Sequence, residues 1–156
     1  MNSQQTMKLK QQNTALDICL RLARAQAVLI RRMDNALGSV HGLSFSDFQI
    51  LLYLQRSPEG QLRRVDLAER LVLTASGVTR QLLPLEKTGL VSRQTNPRDA
   101  RVGYAQITAS GTKLLTHANK TAELVCAELL SNHNLANTSE FAAILGTIAG
   151  INLSNN

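Results

Sequence analysis

Two polar clusters in this 156-residue chain have residue types and spacing suited to gripping an anionic polymer. The first is NPRDAR, residues 96–101, where Arg98 and Arg101 flank Asp99 just after Pro97. Guanidinium groups present forked donors that match phosphate oxygens and base edges. The second is ASGVTRQLL, residues 75–83. At helical spacing Val78, Leu82 and Leu85 share one face, leaving Ser76, Thr79 and Arg80 facing outward. Taken singly, each cluster is what a wet turn or a solvated helix face looks like. Their surroundings give them a joint meaning.

Charge is concentrated where these clusters lie. The chain has 17 Lys/Arg against 11 Asp/Glu and a net charge of +6. Residues 60–113 carry nine of the bases and four of the acids, so most of the excess falls on about a third of the chain. That distribution suits an anionic partner such as nucleic acid or a membrane surface. Catalytic signatures do not appear: the chain has no GxSxG, no phosphate-binding loop and no paired carboxylates in a recognisable setting. His41, His117 and His133 are scattered, without the spacing that puts two metal ligands on one face. The expectation is a protein that is not an enzyme, with no catalytic residue, cofactor or metal.

The elements that must position the clusters follow from periodicity. Residues 1–12 are polar and read as a flexible N-terminus. From Ala15 to about Leu37, Leu16, Cys19, Leu20, Ala23, Ala27 and Ile30 recur at three- and four-residue steps, an amphipathic helix stopped by Gly38 and Gly42. Ser44 and Asp47 form a capping box opening a second helix with Phe48, Leu51, Leu52 and Leu54, which ends at Ser57-Pro58-Glu59-Gly60. VDLAERL is a short helix expected to bury Val65, Ala68 and Leu71 or Leu67. Thr74 caps the next helix, which ends at Gly89 and carries Pro84 inside, where a kink is expected. Two short helices joined by VLT make a helix-turn-helix. LVSRQT and YAQIT then read as a two-stranded hairpin around an NPRDARVG loop. A hairpin directly after a recognition helix is a wing, and its basic tip can enter a minor groove. A long helix from Thr108 to about Asn132 and a last one over 139–151, with Phe141, Ile144, Leu145 and Ile148, complete the chain.

Aromatic residues make up 3 % of the chain, with no Trp, and the core is expected to be aliphatic and mainly helical. Cys19 and Cys126 are too few for a disulfide framework, no signal-peptide core interrupts the first helix, and no run reaches the roughly 18–20 apolar residues of a membrane span. A cytoplasmic protein without membrane contact is the expectation.

In the order LSFSDFQILLYL, VDLAERLVLTASGVTRQLLPLEKTGLVSR, NPRDAR and ITASGTKLL, these segments resemble MarR-type winged helix-turn-helix transcriptional regulators over nearly the whole chain. The resemblance implies a mainly α winged helix-turn-helix fold with a two-stranded wing and an added helical dimerisation region. Residues 44–108 would form the DNA-binding region, and 13–43 with 109–156 the dimerisation region. It further implies a homodimeric repressor on a pseudo-palindromic operator, released by a small phenolic or lipophilic effector. Carried over by position, Arg101 matches the wing-tip arginine, Asp99 the acid that steadies the wing, and Ser76, Thr79 and Arg80 the exposed recognition-helix positions. The family's wing often opens with Asp where this chain has Asn96. Cys19 and Cys126 stand broadly where the peroxide-sensing branch places its thiols, but Phe45 replaces the tyrosine that branch tends to carry. Against this stand buried cysteines acting as small apolar residues, and a winged-helix protein-interaction module that binds no DNA.

Overall fold

The structure, a computed structural model, describes residues 14–96, 99–131 and 138–150, with the backbone alone at 96 and 99–102. Helix α1, Ala15–His41, starts at a reciprocal cap: the Thr14 hydroxyl accepts from the Asp17 amide at 3.1 Å, and the Asp17 carboxylate accepts from the Thr14 amide at 3.2 Å. The Thr14 hydroxyl, which donates to this carboxylate at 2.7 Å, and then the Thr14 amide hold the Asp17 pKa below the usual aspartate value. The helix does not stop at Gly38 as expected. A glycine inside a helix is tolerated for about 1 kcal/mol. Gly42, at a φ of 67°, is the residue that turns left-handed and donates back to the Gly38 carbonyl at 3.1 Å.

Helix α2, Phe45–Gln55, has the expected Ser44–Asp47 box, and the Phe45 amide also donates to Asp34 of α1 at 2.7 Å. Phe48, Ile50, Leu51 and Leu54 are buried, so much of the helix circumference faces apolar neighbours. A 3-10 turn over Pro58–Gly60 leads to β1, Gln61–Arg63, then α3, Arg64–Leu71, and α4, Ala75–Lys87. The hairpin is β2, Val91–Asn96, and β3, Asp99–Ile107, followed by α5, Ala109–Ser131, and α6, Thr138–Ile148.

The expected two-stranded wing is present as β2 and β3, and a third strand joins it: the antiparallel order is β1-β3-β2, with Gln61, Leu62 and Arg63 of β1 opposite Gln106, Ala105 and Tyr104. Within the anticipated 96–103 loop, strand backbone continues at residue 96 and over 99–103, with Thr95 opposite Gly103, Asn96 opposite Asp99 and a register irregularity between Thr95 and Asn96. In α3, Leu67 and Ala68 are buried but Val65, expected inside, is 59 % exposed, because Leu67, about 200° further round the helix, is the residue that faces the core.

The core is aliphatic, with Leu37, Ile50, Leu51, Leu54, Leu67, Leu82 and Leu115 among its fully enclosed side chains. Helix α5 buries Leu115, Ala118, Ala122 and Val125 and is pinned to α1 by Arg32–Glu128 at 2.6 Å and by His41 Nε2 to Thr121 Oγ1 at 2.8 Å. Its entry depends on Gly111: a Cβ there would lie 2.2 Å from the Leu90 carbonyl oxygen. The apolar stripe read along the first half of α1 faces solvent within one chain; Leu16 is 67 % and Leu20 60 % exposed. Phe141, Ile144 and Ile148 of α6 are exposed as well, and that helix buries only Gly146. Among the described residues no helix is long and apolar enough to cross a membrane.

Candidate nucleic-acid interface

Helices α3 and α4 meet at a three-residue turn, Val72–Leu73–Thr74. Val72 adopts φ 54° and ψ 45°, a left-handed conformation that sterically favours glycine, with its side chain 88 % exposed. Thr74 then caps α4 by accepting from the Gly77 amide at 3.1 Å, and Val78, Leu82 and Leu85 anchor the helix in the core. That anchoring turns Ser76, Thr79 and Arg80 to solvent together, as their spacing required. The Ser76 hydroxyl lies 3.2 Å from that of Thr74, and the Thr79 hydroxyl donates to the Ala75 carbonyl at 3.0 Å. Arg80 makes no hydrogen bond or ion pair with the described residues, so its five donors are available. α4 continues through Pro84 to Lys87 as one helix, and the ring leaves the Arg80 carbonyl without an amide from residue 84.

The electrostatics are more one-sided than the sequence count implies. Two of the four acids in 60–113 are already matched: Asp66 receives both Nε and Nη2 of Arg63 at 2.7 and 2.8 Å, and Glu86 pairs with Arg64. The hydrogen bonds that Arg63 donates to Asp66, and then the charge of that carboxylate, raise the Arg63 pKa above the usual arginine value. Arg70, Arg80, Lys87, Arg93 and Lys113 remain exposed. In the wing, Asp99 opens β3 opposite Asn96, and Arg101 lies within the irregular stretch between the pairs at Asp99 and Gly103. Arg98 and the side chains of Asp99 and Arg101 lie outside the described residues, as does His133.

The Arg64–Glu86 pair, β1 and the strained Val72 are features the sequence reading missed. Glu86 is 22 residues from Arg64, and nothing local marks the two as partners. Cys19 is exposed on α1, contrary to the buried reading, while Cys126 on α5 is half-buried against the core.

Residues 41–102, from the end of α1 into the wing, match the family model described as MarR family. The chain is 31 % identical over 91 residues, 58 % of its length, to an uncharacterized HTH-type transcriptional regulator, YdgJ, of Bacillus subtilis, and that match spans 54 % of the relative's own length. Among solved structures it is similar to the transcriptional regulator BldR of Sulfolobus solfataricus, 28 % identical, with a TM-score of 0.81 over 90 % of this chain and 98 % of that one. It also shares the fold of Sco3205, a MarR family regulator of Streptomyces coelicolor solved in complex with DNA, at 23 % identity and a TM-score of 0.79 over 92 % of each chain.

Proposed function

We propose that the chain is a MarR-family transcriptional regulator, a homodimeric repressor that binds a pseudo-palindromic operator in double-stranded DNA and releases it on binding a small phenolic or lipophilic effector. The observation that carries this reading is Arg80, exposed and unpaired among the described residues, on a helix whose opposite face is locked in the core. An N-terminal helix half presenting Ser76, Thr79 and Arg80 suits insertion into a major groove, with Arg80 reading a guanine edge. Arg98 and Arg101 of the wing, steadied by Asp99, then serve the adjacent minor groove. The DNA complex of Sco3205 supports the same use of a shared fold.

Residues 44–108 act as the DNA-binding region in this reading, and 13–43 with 109–156 as the dimerisation region. Support for the dimer is the apolar surface that one chain leaves open on α1, α5 and α6, including Leu16, Leu20, Leu124, Phe141 and Ile148. Exposed apolar area of this kind, spread over three helices, is what a second copy would cover. The test is selection of bound sequences from a random duplex pool. Recovery of two inverted half-sites, spaced so that their centres fall on one face of the duplex, is expected. Recovery of no enriched sequence refutes the reading, and a single unpaired half-site refutes the dimer.

A further inference from the structure

We infer that Arg64 is a positioning residue that locks the wing to the recognition helix, so that the wing's grip on DNA depends on a side chain that touches no DNA itself. This rests on the DNA-binding reading above. Arg64 is the first residue of α3, and the Arg63 before it pairs with Tyr104 of β3, so the α3 start is hydrogen-bonded to the wing ladder. Its side chain is 16 % exposed and turns inward, where Nη2 donates to Oε1 of Glu86 in the last turn of α4, itself 20 % exposed. On the way it runs beneath Gly103 of β3: a Cβ at that glycine would stand 3.4 Å from Arg64 Cδ and 3.7 Å from Nε. One side chain therefore touches the start of α3, the end of α4 and the base of the wing.

The chemistry explains why this residue is an arginine. The Nε is buried without a hydrogen-bond partner among the described residues, so the wing contact is packing by the stem and flat head, not a polar bond. A lysine would reach Glu86 as a point charge but would lack the planar group that fills the space under Gly103. Glu86 stands six residues beyond Arg80, about 9 Å along the helix axis at 1.5 Å per residue. Holding Glu86 therefore sets the angle at which Arg80 and the wing can reach DNA together. Without the lock, the ladder to β1 and the Leu90 amide's bond to the Leu85 carbonyl at 2.9 Å still tie the wing to the sheet and to α4 from its β2 side, but β3 loses its own link to α4 through Arg64.

The experiment measures binding across a range of salt concentrations, using the duplex that the wild-type protein recovers from a random pool. Three variants are compared. Arg64→Lys keeps the charge pair, Arg64→Met with Glu86→Gln removes it without stranding a buried carboxylate, and Gly103→Val leaves both partners but pushes on the Arg64 stem. The slope of log affinity against log salt counts phosphates neutralised. For the double variant and Gly103→Val it should flatten by about one per wing, with Arg64→Lys falling between them and wild type. Thermal melting confirms that each variant is folded. A residue with a merely structural role would lower the melting temperature and leave the slope of the folded protein unchanged, so folded variants with the wild-type slope overturn the lock. A wild-type protein that recovers no duplex overturns the DNA-binding reading first, and the lock with it.

Discussion

Replacing Val72 by glycine should make the protein more stable, although it deletes a side chain from a turn between two helices. Val72 holds φ 54° and ψ 45°, and an L-residue in that region loses roughly 1–2 kcal/mol to the clash of Cβ with the following carbonyl. The side chain is 88 % exposed, so of the about 1.5–3 kcal/mol that full burial of a valine provides, only about 0.2–0.4 kcal/mol is at stake. Glycine's extra freedom in the unfolded chain takes back about 0.5–1 kcal/mol. The net gain for Val72→Gly is about 0.5 kcal/mol, reaching about 1 kcal/mol if the β-branch adds to the strain. Urea unfolding at fixed protein concentration reads this as a higher midpoint with an unchanged slope, and a thermal melt as a rise of about 1–4 °C. Val72→Ala retains a Cβ in the left-handed region and should gain less. A loss of about 0.5 kcal/mol or more in Val72→Gly would refute the strain argument, since it would mean that the isopropyl group packs against something its exposure denies.

Arg80→Ala should weaken binding to the preferred duplex by about 1–3 kcal/mol and relax base preference at the contacted position, read by comparing the selected duplex with single-base variants. Arg101→Ala should weaken binding to the selected and to a scrambled duplex alike and flatten the salt dependence by up to about one unit of slope per half-site; unchanged affinity for both would return NPRDAR to a solvated turn. Gly111→Ala places a methyl 2.2 Å from the Leu90 carbonyl oxygen, which also accepts the Thr108 amide, so the entry of α5 must shift; a stability loss of about 1–3 kcal/mol in urea unfolding is expected. Mild peroxide should leave DNA binding of the native protein and of Cys19→Ser equally intact, because Phe45 offers no hydroxyl to activate a thiol; peroxide-induced release that depends on Cys19 would contradict this.

Local devices were legible in the sequence and long-range ones were not. The Ser44–Asp47 box and the Thr74 cap span three residues each, so their partners sit in one glance of sequence. The Val78, Leu82, Leu85 face is equally local, and fixing it exposed Ser76, Thr79 and Arg80 without further information. Strand β1 went unseen because three residues with one buried Leu62 are too short to show alternation, and its partner lies more than forty residues on. The strands of the wing read too short in the sequence for a related reason: Gly103 has the composition of loop punctuation, yet its pairing with Thr95 is decided by the neighbouring strand. Gly38 misled in the same way, since only the geometry at Gly42 shows which glycine ends α1. Periodicity identified the apolar stripe of α1 but could not say whether one chain or two would cover it.

Strand β3 is paired along both edges, to β1 on one side and β2 on the other. Adding or removing one residue between Gly103 and Ile107 would reverse the facing of every later side chain in two ladders at once, sending Ala105 from the core to the surface and breaking the register that holds Arg63 opposite Tyr104. The stretch on the tip side of the Thr95–Gly103 pair has no such double constraint, since it faces only β2 and already accommodates an irregular register. Changes of wing length should therefore be accepted at residues 96–102 and rejected at 103–107. A library intended to alter what the wing touches should vary the tip in length and the rest of β3 in side chains only.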